Sequence, residues 1–163
     1  MIQQPPETHL AQFNVARALD DLESDRLRDF MSALDRVNAV AEQSPGFVWR
    51  LQDDTGDATN IRAMDDPRLI VNLSVWETPE TFERFVWKTV HKRVYEKRSK
   101  WFAQPDQAHF VMWWVPAGHI PTVEEARERL AHLTSHGESP TAFTLRGAYP
   151  PPVGTPSADV AAD

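Results

Sequence analysis

Residues 78–121 read TPETFERFVWKTVHKRVYEKRSKWFAQPDQAHFVMWWVPAGHIP, and they decide how the rest of the chain is read. Thr78 can offer its side-chain oxygen to an orphan amide. Pro79 suits the first helical position because its missing donor is not needed there, and Glu80 falls in the first turn. Phe82, Val86, Val90, Val94 and Trp101 then recur at helical spacing with Phe85 beside them, an apolar stripe that must pack on something. His91, Tyr95, Arg98 and Phe102 follow at steps of four, three and four, so they share the flank next to that stripe. The spacing predicts one long helix with this flank half-buried at the edge of a helix–sheet contact. After Pro105 the chain turns extended. His109, Val111, Trp113 and Val115 point one way, and Phe110, Met112 and Trp114 the other. Both faces are apolar, which predicts helices on one side and a second subunit or a closed cavity on the other.

Upstream, Leu69–Trp76 (LIVNLSVW) alternates as a strand. Leu69, Val71, Leu73 and Val75 form a clean core face, while Ile70, Asn72, Ser74 and Trp76 form a polar-aromatic face suited to a pocket wall. His9–Val15 alternates similarly, with Ala11, Phe13 and Val15 against Leu10, Gln12 and Asn14. Residues 22–44 carry a helical stripe of Leu27, Phe30, Met31, Leu34, Val37 and Ala41, with Ser24 as cap and Pro45-Gly46 as stop. Phe47–Gln52 is a strand with Phe47, Trp49 and Leu51 on one side, and residues 53–67 read as a long loop. Beyond Pro121, Thr122 and Glu125 form a capping box for a last helix with the stripe Val123, Ala126, Leu130 and Leu133. Thr141–Leu145 reads as a short strand. The expected organisation is a flexible leader at 1–8, one α+β domain at 9–146 and a flexible tail at 147–163.

Strand, helix, strand, strand, helix, strand is the ferredoxin-like βαββαβ pattern with an antiparallel sheet, here with an extra C-terminal helix. Two helices are expected on one face. The polar-aromatic face is expected on the other, buried by a symmetric partner to give a dimeric α+β barrel.

Bulk composition excludes several classes. The formal net charge of -7 argues against nucleic acid or an anionic membrane as partner. There are no cysteines, so disulfides, zinc–thiolate sites, iron–sulfur clusters and thiol nucleophiles are excluded. No apolar run spans a bilayer and the start has no signal-peptide layout, so a cytoplasmic location is expected. No phosphate loop, dinucleotide fingerprint, nucleophile elbow or HExxH is present.

The pieces LIVNLSVWETPETFERFV, VHKRVYEKRSKWF and VMWWVPAGHIPTVEEARERL, followed by SPTAF, resemble a bacterial family known as domain of unknown function 3291. The resemblance covers roughly His9 to Leu145. That family lies in the dimeric α+β-barrel superfamily, which includes antibiotic-biosynthesis monooxygenases, haem enzymes and small cyclases and isomerases. The resemblance implies the fold and a dimer, and no reaction.

The candidate catalytic residues are His91, Tyr95 and Arg98. A neutral imidazole at His91 suits general acid–base work near pH 7. In haem-using members of the superfamily the axial histidine sits on the corresponding helix, so the resemblance also allows a haem ligand there. The bland alternative is a histidine bonded to a loop carbonyl. Arg98 could be a donor fork for an anionic or carbonyl ligand, or a surface arginine pairing with Glu96 or Asp106. Asn14, Asn72 and Ser74 are uncharged hydrogen-bonding groups on the faces assigned to the cavity, with a water-filled dimer seam as the alternative. Trp49, Trp76, Trp101 and Trp113 are the candidate aromatic walls; core or interface packing is the usual fate of such residues. His119 reads as a turn residue bonded to backbone. His132 and His136, four apart without a carboxylate, do not make a metal site. The expected protein is a homodimeric small-molecule enzyme, a cofactor-independent monooxygenase, isomerase or cyclase acting on an apolar, aromatic or polyketide-like ligand. The alternatives are a ligand carrier and a haem protein.

Overall fold

The computed structural model describes residues 3–52, 66–105 and 107–145. The tail expected from residue 147 and nearly all of the loop expected at 53–67 lie outside them. The elements are β1 (Thr8–Arg17), α1 (Arg28–Gln43), β2 (Phe47–Arg50), β3 (Leu69–Trp76), α2 (Pro79–Lys88), α3 (Val90–Glu96), β4 (Phe110–Pro116) and α4 (Val123–His136). The strands form one antiparallel sheet in the order β2-β3-β1-β4. This is the ferredoxin-like arrangement, with α2 and α3 together in the place of its second helix. Ahead of β1, the Gln4 amide donates to the carbonyls of Thr8 and Glu77, so the chain is held from Gln4 onward.

The sheet has two different sides. Ala11, Phe13, Val71, Leu73, Val75, Val111, Trp113 and Val115 form one, and α4 packs on it through Ala126, Leu130 and Leu133. On the other side Leu10, Trp76, Phe110 and Met112 meet Val37 and Ala41 of α1 and Phe82, Phe85 and Val86 of α2. Gln12, Asn14, Asn72 and Ser74 share this second side by strand alternation and register.

Two expectations change here. The polar-aromatic faces of β1 and β3 lie beneath the α1–α3 layer, not on an open side awaiting a second subunit. The clean apolar side is closed by α4 of the same chain. β4 is apolar on both faces because helices of its own chain sandwich it, so its composition no longer calls for a dimer. Among the described residues, the large hydrophobic side chains left exposed are Val48 at 38% and Ile120 at 56%.

The long helix expected from residue 79 is broken at Thr89, whose backbone is extended (φ -128°, ψ -173°). The Thr89 hydroxyl donates to the Phe85 carbonyl at 2.6 Å and accepts from the His91 amide at 3.2 Å. One side chain therefore ends α2 and starts α3, the role short hydroxyl side chains take at helix ends. A second break follows Glu96, where residues 98–100 form a 3-10 turn. α1 likewise begins at Arg28 after a 3-10 turn at 25–27, and Ser24 makes no side-chain cap.

Gly46, between α1 and β2, has φ +84°, and its carbonyl accepts from the Glu77 amide at 2.7 Å. A Cβ there would stand 2.4 Å from the Cβ of Thr81. Thr81 is the third helical residue of the capping box that starts α2 with Thr78, so the glycine lets two chain turns nest. At the C-terminal end, the Thr122 hydroxyl accepts from the Glu125 amide as expected. The Glu125 carboxylate does not return to the Thr122 amide: it binds the Trp113 indole at 2.9 Å and the His119 ring at 2.8 Å. The expected strand at 141–145 is reduced to a bridge, Phe143 pairing with Met112 of β4.

Candidate functional site

Two groups of side chains on the helix side of the sheet carry chemistry. The first is a hydrogen-bonded cluster across β1 and β3. In the register, Gln12 stands opposite Ser74, and Asn14 opposite Asn72. The Gln12 Nε2 donates to Asn72 Oδ1 and, at 2.7 Å, to Ser74 Oγ. Asn14 Nδ2 donates to Gln12 Oε1 at 2.9 Å, and the Trp76 indole N–H donates to Ser74 Oγ at 3.0 Å. Gln12, Ser74 and Trp76 are 1%, 5% and 1% exposed, so their polar atoms are buried and satisfied, as buried polar groups must be. Asn14 is half-buried and Asn72 is exposed, although β3 is an inner strand and this side is roofed by helices. Asn72 lies beyond Ser74, the last β3 position paired with β2, and its register partner is Asn14 on the β1 side.

The second group surrounds His91, at the start of α3. Its Nδ1 lies 3.3 Å from the Val86 carbonyl. That carbonyl belongs to the last turn of α2, whose oxygens have no successor amide within the helix, and the break at Thr89 is what frees it. A carbonyl only accepts, so Nδ1 carries the proton and Nε2 carries the lone pair. Nε2 has no hydrogen-bond partner among the described residues. The imidazole lies 5.1 Å from the Phe85 ring and stacks on Tyr95 at 6.3 Å. Burial holds its pKa below the ordinary histidine value, against the opposing pull of the Val86 carbonyl. His91 is therefore neutral at pH 7. Phe85 also stacks on Trp76 at 5.1 Å, so one phenyl ring touches both groups.

The other candidates divide. Tyr95 stays beside His91, with Trp87 edge-on to it at 5.4 Å. Arg98 does not join them: α3 has ended, and the exposed guanidinium sits 3.9 Å over the Tyr95 ring and donates to the Tyr95 carbonyl. Trp76 lies in the cluster. Trp101 packs with Ile70 and Phe30 on the same side of the sheet. Trp49 and Trp113 belong to the α4 side and do not line this cleft, because their strand parity puts them with Val75 and Ala11. Gln12 was not singled out from the sequence. Its signal was available, a long amide in an inner strand between apolar residues. Arg50 was missed as well. It is 9% exposed, stands opposite Ser74 in the register, and pairs with Glu42 of α1 at 2.8 Å. Among the described residues no helix is long and apolar enough to cross a membrane.

The His91 environment predicts a pH effect. Its folded pKa is lowered, so the unfolded chain binds the extra proton more readily. This contribution to stability is complete above about pH 6.5, the unfolded histidine value, and is lost as pH falls from there toward the folded pKa. Thermal melts at pH 7.5 and 5.5 should show a smaller acid-induced drop in His91→Asn than in the native protein. Equal drops would show that the imidazole does not titrate below its ordinary value.

The model of the family described as domain of unknown function (DUF3291) matches residues 9–159. No curated protein matches the chain. Among solved structures, a protein of unknown function from Nitrosomonas europaea is 15% identical, with 72% of this chain and 99% of that one covered at a TM-score of 0.45. SnoaB, a cofactor-independent oxygenase from Streptomyces nogalater, is 15% identical over 69% of this chain and 95% of its own, at a TM-score of 0.43. Neither likeness bears on this chain's chemistry.

Proposed function

The chain belongs to the DUF3291 family, and from the geometry of its cleft we propose that it is a small-molecule enzyme that works on a flat, apolar, oxygen-bearing substrate without a bound cofactor. The observation that carries this reading is an exposed amide, Asn72, hydrogen-bonded to a buried polar cluster of Gln12, Ser74 and Trp76. A ligand seated against Asn14 and Asn72 would meet uncharged amides, groups that orient a small molecule by hydrogen bonds without a charge to desolvate. Asn14 and Asn72 would hold a ligand oxygen.

His91 would be the proton acceptor. Its ring is kept neutral by burial, its tautomer is fixed by the Val86 carbonyl, and its bare Nε2 is the atom that takes the proton. Tyr95 would steady the ring by stacking. Removing a proton beside a carbonyl held by amides gives an enolate. That step opens cofactor-independent oxygenation, isomerisation and cyclisation alike, and a polyketide-like aromatic ketone fits it. Native mass spectrometry of the purified protein is expected to find a small aromatic, oxygen-bearing molecule at the mass of the complex, displaced in Asn72→Trp. No such molecule, together with no binding of flat aromatic ketones, would overturn the reading.

A second reading is favoured by one atom. An imidazole with Nδ1 bonded to a carbonyl and Nε2 bare is the donor arrangement of an axial haem ligand. Haem bound there would bring redox chemistry, while His91 would supply the ligand atom and Phe85 and Tyr95 the flanking rings. Titration with haemin separates the two: a Soret band lost in His91→Ala supports haem, and its absence from the native protein ends that reading.

The homodimer also remains a proposal, now on the narrower basis of Val48 and Ile120. Sedimentation at micromolar concentration is expected to give twice the chain mass. A monomer overturns it.

A further inference from the structure

All four lysines of the chain, Lys88, Lys92, Lys97 and Lys100, fall within thirteen residues. With Arg84, Arg93 and Arg98 they give residues 84–100 seven of the 17 basic side chains and, in Glu96, one of the 24 acidic ones. This stretch therefore carries +6 and the other residues together carry -13, for the net -7 of the whole. The fold turns the cations outward. α2 buries Phe82, Phe85 and Val86, and Val94 of α3 packs against the cluster that holds Phe30 and Trp101. Arg84, Lys88, Lys92, Arg93, Lys97 and Lys100 are all exposed. Local partners do not neutralise them. Lys92 lies 3.8 Å from Glu96, an exposed pair that contributes little in water, and Arg98 is engaged with the Tyr95 ring and carbonyl. The other five side chains make no ion pair or hydrogen bond among the described residues. Elsewhere Arg17, Arg28, Arg50 and Arg68 each pair with a carboxylate.

We propose that the outer faces of α2 and α3, with the turn at 98–100, are a docking surface for an acidic segment of another protein. Like charges on neighbouring helix turns repel one another, and a complementary partner relieves that repulsion and speeds encounter. Three features favour a short acidic protein segment over other polyanions. The surface is small, since α2 and α3 have 10 and 7 residues, and the rest of the chain is acidic. A nucleic acid or a bilayer reaches past such a patch and sets its phosphates against that acidic remainder, whereas a protein segment can end where the cations end. Most of the cations are lysines, point charges on flexible stems that meet carboxylates in many geometries, rather than the arginine forks suited to planar phosphate recognition. Finally, the large hydrophobic side chains left exposed among the described residues are Val48 and Ile120, neither of them here, so nothing is offered for base stacking or for insertion between lipids. The surface stands whether or not a ligand sits against Asn72.

The probe is a dye-labelled peptide that alternates glutamate with alanine, and its control carries glutamine in place of glutamate. Fluorescence anisotropy with the full chain at about 50 mM salt is expected to show the glutamate peptide, of about twelve residues, binding at least about tenfold more tightly than the control. Its affinity should fall about tenfold by about 200 mM salt, as the exposed charges are screened. The variant Lys88→Gln, Lys92→Gln, Lys97→Gln, Lys100→Gln should weaken it about tenfold or more, through four exposed pairs that each contribute modestly. Its melting midpoint should hold, because none of the four side chains is buried. If that variant does not fold, Lys92→Gln with Lys97→Gln should weaken the peptide about threefold. Arg127→Gln, an exposed site on α4, should bind as the native protein does. Peptides that bind alike, glutamate binding unchanged in the lysine variants, or an equal loss in Arg127→Gln overturn the proposal. So does tighter binding of single-stranded DNA of the same charge, or of vesicles containing phosphatidylglycerol, which gives the surface to a nucleic acid or a membrane. A dimer that the lysine substitutions dissolve gives it to a second copy of this chain and overturns the proposal as well.

Discussion

His91→Asn is expected to lower turnover about a hundredfold or more while moving the melting midpoint by no more than about 2 °C. The two halves of this expectation come from the two nitrogens. Nδ1 is structural: it satisfies the Val86 carbonyl that the break at Thr89 leaves without a helical partner. An asparagine amide can make the same bond, so the fold keeps its partner. Nε2 is the atom assigned to chemistry, and asparagine has no base there. His91→Ala removes both and should lose activity together with roughly 1 kcal/mol, the usual net worth of such a bond. Tyr95→Phe keeps the stacking ring and removes the hydroxyl, and so reports whether ring placement alone suffices. An Asn variant that stays fully active would remove His91 from the site and leave Asn14 and Asn72 as its working residues. An Asn variant that melts far below the native protein would mean that Nε2 has a structural partner.

Gly46→Ala is expected to destabilise the protein by about 3 kcal/mol or more, roughly 6–12 °C in melting midpoint for a chain of this size. Two costs add. The left-handed backbone, φ +84°, costs a side-chain-bearing residue roughly 1–2 kcal/mol. The new methyl group would also sit 2.4 Å from the Cβ of Thr81, a distance no pair of carbon atoms tolerates, and relieving it means moving the first turn of α2. The Oγ1 and Cγ2 of Thr81 stand about as close as its Cβ, so Thr81→Ser, which keeps two of these three atoms, does not rescue the variant and Thr81→Gly relieves it in part. Differential scanning calorimetry of the four proteins gives the comparison. A loss below about 1 kcal/mol would show that the Gly46–Glu77 turn shifts freely.

Most of the order of elements was legible because it rests on period. Leu69–Trp76 alternates without interruption, and Thr78-Pro79 is a strong helix start. The two sides of β1, β3 and β4 were also separated correctly; in β2, Phe47 was placed with Trp49 and Leu51, but an irregularity between Phe47 and Trp49 puts Phe47 on the α1–α2 side and the other two on the α4 side. Which side the helices cover was not legible, because alternation defines two faces without saying which is roofed. The answer depended on α4, whose stripe at Ala126, Leu130 and Leu133 claims the apolar side. The break at Thr89 was hidden for a related reason. Val90 and Val94 keep helical spacing on either reading, and only the hydroxyl that serves both helix ends distinguishes them. That break moved Arg98 out of the site and gave His91 its carbonyl partner. Asn14, Asn72, Ser74 and Trp76 were legible as a group because polar residues on an apolar strand must be accounted for. Gln12, the residue that joins them, was passed over as one more member of a mixed face. Trp49 and Trp113 were chosen for their size, and parity placed them elsewhere.

The position of α4 has a consequence for how the protein is made. Synthesis runs from the N-terminus, and α4 follows all four strands in the chain. Until residue 136 has left the ribosome, the sheet side formed by Phe13, Val71, Leu73, Val111 and Val115 has no cover of its own. A nascent chain that has assembled its sheet but lacks α4 displays a broad oily surface to every neighbouring chain, the kind of intermediate that aggregates or engages chaperones. A chain ended after residue 121, which keeps the four described strands and lacks α4, should therefore partition into the insoluble fraction more than the full chain does. α4, made after every described strand, is thus the helix that decides whether the finished sheet stays in solution.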